Sequence, residues 1–266
     1  MTQLVFIKFG GSLITDKDKP HTPRLEIIQR LAEEVAAARN RSPGLKLLLG
    51  HGSGSFGHIP ANQYKTREGV HTHTEWHGFA EVWREARVLN QIVVDALAAV
   101  SLPVIAFPPS ALIVAREGQP VGWDIRTIQM ALDAGLVPLV NGDVVFDMVR
   151  GGTILSTEDV FAALATALHP SRVLMAGIEP GVWADFPACT HILERVTTAS
   201  FSSIGRGLSG SNSIDVTGGM RQKVELMLHL AQRVGGLEAL IFSGVDPGLV
   251  QYILEGGSSG TRITHL

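Results

Sequence analysis

Short, nearly unbroken apolar runs alternate along this chain with longer stretches in which apolar residues return every three or four positions. The runs fall at Leu4 to Phe9, Leu45 to Leu49, Val104 to Phe107, Leu136 to Val140, Arg172 to Met175 and Leu237 to Phe242. Each has the length and density of a strand buried on both faces. Between them, Leu25, Ile28, Leu31 and Val35 mark one amphipathic helix, and Phe79, Val82, Ala86, Leu89, Val93 and Leu97 a longer one. Ile125, Ile128 and Leu132 predict a third that ends at Gly135, and Val224, Leu226, Leu228 and Ala231 a fourth, opened by Asp215-Val-Thr-Gly-Gly-Met220. Thr22 followed by Pro23 predicts the start of the first helix. Ser156 or Thr157 caps another, with Glu158 and Asp159 in its first turn, and a short helix is expected over Leu249 to Leu254. Two hairpins are expected, one turning at Glu117-Gly118 and one at Gly151-Gly152. The polar segments 16–20 and 200–214 predict mobile loops. Strands alternating with helices predict an α/β fold, a mostly parallel sheet covered on both faces. Its ligands belong beyond the carboxyl ends of the strands, where the glycine-rich turns fall.

Composition narrows the class. The 266 residues suit one large α/β domain or two lobes sharing a sheet, and 45% hydrophobic residues suffice for a sizeable core. A net charge of −3 with interspersed signs gives no electrostatic case for nucleic acid or an anionic membrane as partner. The single cysteine, Cys189, excludes an internal disulfide framework and a cysteine-rich zinc site, and fits a reducing compartment. Lys8 interrupts the first apolar run too early for a signal peptide, and no run reaches the roughly 20 apolar residues of a membrane span. A soluble, cytoplasmic chain is expected.

The candidate chemistry gathers at three glycine-rich turns, 10–12, 52–57 and 218–219. The central one, His51-Gly-Ser-Gly-Ser-Phe-Gly-His58, follows a strand and is expected to be a loop rather than a helix because Pro60 breaks it. Its glycines let several N–H groups converge on an anion, and His58 adds a donor that can carry a proton near neutral pH. Lys8, Lys17 and Lys223 lie beside the turns or in the loop after them. Lys8 stands in a buried strand, where an unpaired ammonium is costly, so its partner should be a phosphate or a carboxylate such as Asp159. Two phosphates of charge about −2 held ~5 Å apart repel by roughly 13 kcal/mol at an effective dielectric near 20, so several fixed cations are needed before a phosphoryl group can pass between them.

Other chemistries fit less well. Residues 52–57 match G-x-G-x-x-G, but the fingerprint should open a helix and lead to a strand ending in an acid, which argues against a dinucleotide-dependent oxidoreductase. Walker and protein-kinase signatures are absent. His71, His73 and His77 are too loosely spaced to predict a metal site, and Cys189 has no triad-like context.

Taken in order, Lys8-Phe-Gly-Gly-Ser12, the 51–58 loop, Asn141-Gly-Asp143, Asp215 to Lys223 and Gly260-Thr-Arg-Ile263 resemble the amino acid kinase superfamily, and within it the isopentenyl phosphate kinases. The resemblance implies a three-layer α/β/α sandwich with an open, mostly parallel sheet. It implies an acceptor lobe at 1–166, an ATP lobe at 167–266, and commonly a homodimer. The implied reaction is ATP-dependent phosphorylation of isopentenyl phosphate to isopentenyl diphosphate, with Mg²⁺. By the same resemblance Lys8 and Lys17 contact the transferring phosphoryl group, and Gly10, Gly11 and Ser12 the nucleotide phosphates. Gly218, Gly219 and Lys223 hold the β/γ end of ATP, Asp159 orients the lysines, and Gly54, Gly177 and Glu179 serve the nucleotide. His58 binds the acceptor's phosphate with Ser53 and Gly54, and Gly142, Asp143 and Thr157 complete that side. The acceptor's apolar tail is expected against Phe79, Val82 and Trp83. Two positions depart from the family pattern. Ser53 stands where Gly or Ala is usual, and Gly177 to Trp183 replaces T-D-V-D-G-V-Y, which leaves nucleotide preference open. A fosfomycin-type phosphonate kinase shares the histidine loop and is the nearest alternative. A binding protein without turnover would not need the full lysine set.

Overall fold

Period two along the first strand decides how the layers assemble. In β1 (Gln3–Phe9) Val5, Ile7 and Phe9 point to one side of the sheet, Phe6 and Lys8 to the other. A computed structural model describes residues 3–204 and 219–265, and in it both sides are covered by helices.

After β1 come α1 (Gly11–Ile14), α2 (Leu25–Arg41), β2 (Leu45–His51), α3 (His58–Gln63), α4 (His73–Ala99), β3 (Val104–Ala106) and α5 (Pro109–Leu112). The hairpin β4 (Ile113–Arg116) and β5 (Gln119–Trp123) leads through α6 (Arg126–Asp133) to β6 (Val137–Asn141). A second hairpin, β7 (Asp143–Asp147) and β8 (Gly151–Leu155), precedes α7 (Thr157–Leu168) and β9 (Arg172–Gly177). The chain continues with β10 (Arg195–Thr197), α8 (Thr198–Ile204), α9 (Met220–Arg233), β11 (Glu238–Ser243), α10 (Leu249–Leu254) and β12 (Thr261–Thr264).

Eight strands form the main sheet in the order β10-β12-β11-β9-β1-β2-β6-β3, parallel except where β12 runs against β11. Helices α6, α7 and α9 pack on the Phe6 side, and α1, α2, α4 and α10 on the Ile7 side. The fold is therefore the expected α/β/α sandwich. A smaller sheet, β5-β4-β7-β8, stands over the end of β6 and carries its own cluster of Ala61, Val70, Phe79, Val82 and Val144. β1 lies between β2 and β9, so the chain leaves it in opposite directions, and the crevice beyond its carboxyl end is the switch point of the sheet.

Three local expectations are corrected. Thr22 and Pro23 do not start a helix: Pro23 pairs with Thr15 in an antiparallel bridge, Thr22 Oγ1 donates to Pro20 O, and α2 begins after Arg24. Proline's fixed φ suits extended backbone as well as a first helical turn, and here the loop is tied back on itself. Pro60 does not prevent a helix either; it falls in the first turn of α3, where its missing N–H costs nothing. Residues 198–204, partly placed in a mobile stretch, form α8, while 205–218 lie outside the described residues.

Candidate active site

Strands β1, β9 and β11 and the loops after β2 and β6 deliver residues to one cleft of about 1340 Å³, its open mouth included. Lys8 ends the Phe6 side of β1 and is buried. Above it, α7 lies close on β2 because Gly50 has no side chain; a Cβ there would sit 2.6 Å from the Phe161 ring. That approach brings the first turn of α7 over Lys8, whose Nζ pairs with the Glu158 carboxylate. Burial by itself would raise the Glu158 carboxyl, but the charges of Lys8 and Lys223 hold it below its ordinary value.

The expectation that Asp159 orients Lys8 is thereby corrected. Asp159 is the third residue of a capping box: its Oδ2 accepts from Ser156 N at 2.8 Å and Ser156 Oγ at 2.7 Å, and Arg67 stands 3.7 Å away. The box turns Asp159 back to the cap, and the neighbouring Glu158 is the carboxylate that reaches the lysines.

The two glycine loops pack backbone against backbone. A Cβ on Gly11 would lie 2.5 Å from Gly54 N, and Gly54 holds a left-handed φ of +52°. Thr15 rivets them: its Oγ1 donates to Gly11 O at 2.8 Å and accepts from Ser55 N at 2.9 Å. Among the described residues, no hydrogen bond within the fold uses the N–H groups of Ser53 or Gly54, which leaves both for an anion. Lys17 and His58 also line the cleft, as do Gly10, Gly11, Ser12, Ser53, Gly54, Gly142, Asp143, Thr157, Gly177, Glu179 and Lys223. The fold therefore brings together nearly all the residues singled out. Gly219 caps α9 just outside the lining, and Gly218 lies outside the described residues.

The cleft has a mixed electrostatic character. Burial pushes the Asp143 carboxyl up to about 6, against the hydrogen bonds it accepts from Ser110 N and Val144 N. Glu179 accepts a hydrogen bond from Trp183 Nε1 at 2.7 Å, which fixes the loop after β9. The apolar end is made by Ala61, Val82, Ala86 and Ile154. Of the three residues expected there, only Val82 lines the cleft. Phe79 packs against Trp76 and Phe146 at 5.2 and 5.4 Å, and Trp83, one position round the helix from Val82, is 38% exposed beside Arg87. The sequence alone gives no site role to Glu158, Thr15 or the small side chains of α3 and α4. A capping-box pattern, Ser156-x-x-Asp159, was the available signal for Glu158, because it commits Asp159 elsewhere. The alanines carry no such signal.

Among the described residues, no three His, Cys, Asp or Glu side chains gather where a metal ion could sit.

With this geometry in view, the likenesses to known proteins are specific. The amino acid kinase family profile matches residues 3–243. The isopentenyl phosphate kinase of Methanocaldococcus jannaschii is 32% identical over 266 residues, covering 98% of each chain. That of Methanothermobacter thermautotrophicus is 33% identical over 270 residues, covering 98% of this chain and 99% of its own. A solved structure of an isopentenyl phosphate kinase superposes with a TM-score of 0.82 at 30% identity, over 98% of this chain and 100% of the other. Sequence pattern, sheet order and full-length similarity agree, and the chain belongs to the amino acid kinase family, among its isopentenyl phosphate kinases.

Proposed function

We propose that the chain transfers the γ-phosphoryl group of ATP to isopentenyl phosphate, giving isopentenyl diphosphate and ADP. The observation that carries this reading is the convergence of Lys8, Lys17, Lys223 and His58 on one cleft with two bare loop amides and an apolar end. The full-length relatives that carry the name isopentenyl phosphate kinase support it.

The attacking phosphate oxygen is already anionic, so no general base is required. Catalysis rests on holding donor and acceptor in line and on neutralising charge as it builds on the transferring group. In this reading Lys8, set by Glu158, and Lys17 face the transferring phosphoryl group. Lys223 takes the β/γ end of the nucleotide beside Gly10, Gly11 and Ser12. His58 and the N–H groups of Ser53 and Gly54 take the acceptor's phosphate. The tail lies toward Ala61, Val82 and Ile154. Residues 1–166 would then serve the acceptor and 167–266 the nucleotide, across one continuous sheet. Mg²⁺ would arrive with the triphosphate and keep phosphate and water oxygens as ligands, supplying further charge neutralisation. A homodimer, a cytoplasmic location and the lack of nucleic-acid or membrane partners rest on the resemblance and on composition; among the described residues no helix is long and apolar enough to cross a membrane.

His58→Gln tests the acceptor side. It should raise KM for isopentenyl phosphate, or lower kcat, by roughly tenfold or more, as loss of a hydrogen bond to a charged group does, while KM for ATP changes little. Unchanged acceptor kinetics would remove His58 from the site.

A further inference from the structure

β2 and β6 end side by side with His51 opposite Asn141. Each turns its side chain onto the carbonyl of the glycine that follows: His51 Nδ1 lies 3.1 Å from Gly52 O, and Asn141 Nδ2 donates to Gly142 O at 3.0 Å. Both glycines line the cleft. Asn90 of α4 joins the two side chains, its Nδ2 3.0 Å from His51 Nε2 and 3.5 Å from Asn141 Oδ1. Thr157 Oγ1 fixes the strand end from the other side by donating to His51 O at 2.6 Å.

This geometry dictates a tautomer. Gly52 O can only accept, so the ring proton must sit on Nδ1. The fully buried imidazole is held neutral, its pKa lowered to about 4 chiefly by burial, and its bare Nε2 accepts from the Asn90 amide. A trans peptide points its C=O and N–H in opposite directions. With Gly52 O drawn back against His51, the N–H of the same peptide plane, that of Ser53, turns the other way. Ser53 lines the cleft, and among the described residues its N–H has no partner.

We propose that Asn90, acting through the Nδ1-protonated tautomer of His51, is a positioning residue that aims the Ser53 N–H at the acceptor's phosphate. The proposal rests on the assignment of this part of the cleft to the acceptor. Asn90 touches no substrate; it fixes which ring nitrogen carries the proton, and the ring fixes the peptide.

Two measurements test it. A long-range ¹⁵N–¹H correlation spectrum of the wild-type imidazoles, with His51→Gln identifying the signals, should show Nδ1 of His51 protonated. An Nε2-protonated ring overturns the proposal whatever the kinetics. The second is the near-isosteric Asn90→Asp, which offers Nε2 an acceptor in place of a donor. The proton should move to Nε2, leaving Nδ1 and Gly52 O lone pair to lone pair. kcat/KM for isopentenyl phosphate should then fall roughly ten- to a hundredfold, with KM for ATP within about twofold. Asn90→Ala removes the donor without reversing the demand, so it should keep Nδ1–H and lose less. Equal losses in the two variants, or a parallel rise in KM for ATP, would mean that Asn90 only packs the core. Failure of the wild type to phosphorylate any alkyl monophosphate would sink the acceptor assignment instead, a result distinguishable because the tautomer is measured without turnover.

Discussion

Lys8, a residue only 6% exposed, carries its ammonium in a strand whose other interior residues are apolar, and the site depends on how that charge is balanced. Its partner Glu158 is equally enclosed, so removing Lys8 takes from that carboxylate the ammonium it pairs with. Lys8→Met should abolish turnover by orders of magnitude, and it should also cost stability, up to about 3–5 kcal/mol, by taking from a buried carboxylate its ion-pair partner. Adding Glu158→Gln in the same chain should restore most of the denaturation midpoint and none of the activity. Recovery of activity along with stability would make Lys8 structural. At this scale the sequence is informative about Lys8, because a charge inside an apolar run is conspicuous, and about the glycines, whose clustering has a reason. It is uninformative about pairing. Glu158 and Asp159 are adjacent acids on one helical turn, and only the three-dimensional cap shows that Asp159 faces Ser156 and Glu158 faces Lys8.

Two short hairpins make up the smaller sheet, and one carboxylate joins them. Asp147 accepts from Glu117 N at 3.1 Å and Gly118 N at 2.7 Å in the β4–β5 turn, and from Val149 N and Arg150 N, each at 2.9 Å, in its own. Burial opposes its charge, but the four N–H groups prevail and bring its pKa to about 2, from an ordinary value of 3.8. A depressed carboxyl stabilises the fold above its unfolded pKa and loses that contribution as pH falls through the folded value. Asp147→Asn should therefore lower stability by about 1–3 kcal/mol at neutral pH. The gap between variant and wild type should close between roughly pH 4 and pH 2, which thermal melts at stepped pH would show; a gap independent of pH would contradict the charge argument. The long elements at this scale follow from periodicity alone: α4 buries Phe79, Val82, Ala86, Leu89, Val93 and Leu97 as the spacing predicts. The short ones do not, because α1, α3, α5 and β10 span between three and six residues, less than two turns or a full alternation. Thr22-Pro23 misleads for a related reason, since its cap signature is overridden by hydrogen bonds to the 51–58 loop: Thr22 N donates to Ser55 Oγ at 3.2 Å.

For the whole molecule, the decisive feature is that β1 has β2 on one side and β9 on the other, so residues from both halves of the chain meet above Lys8. Apolar runs alternating with helices suffice to predict a covered parallel sheet, but strand order follows from contacts distant in sequence, and here the resemblance to a known family carried the expectation. The same topology brings Lys223 and Gly177 from one half into one cleft with His58 and Asp143 of the other. The most direct measurement is ADP release by the wild-type protein with ATP and a panel of alkyl monophosphates, fosfomycin, glutamate, aspartate and UMP, with ³¹P NMR identifying the products. The account predicts rapid ADP release with isopentenyl phosphate, a new diphosphate signal in equal amount, and little turnover of the other acceptor classes. ADP release with fosfomycin or an amino acid in preference, or none with any alkyl monophosphate, would contradict it.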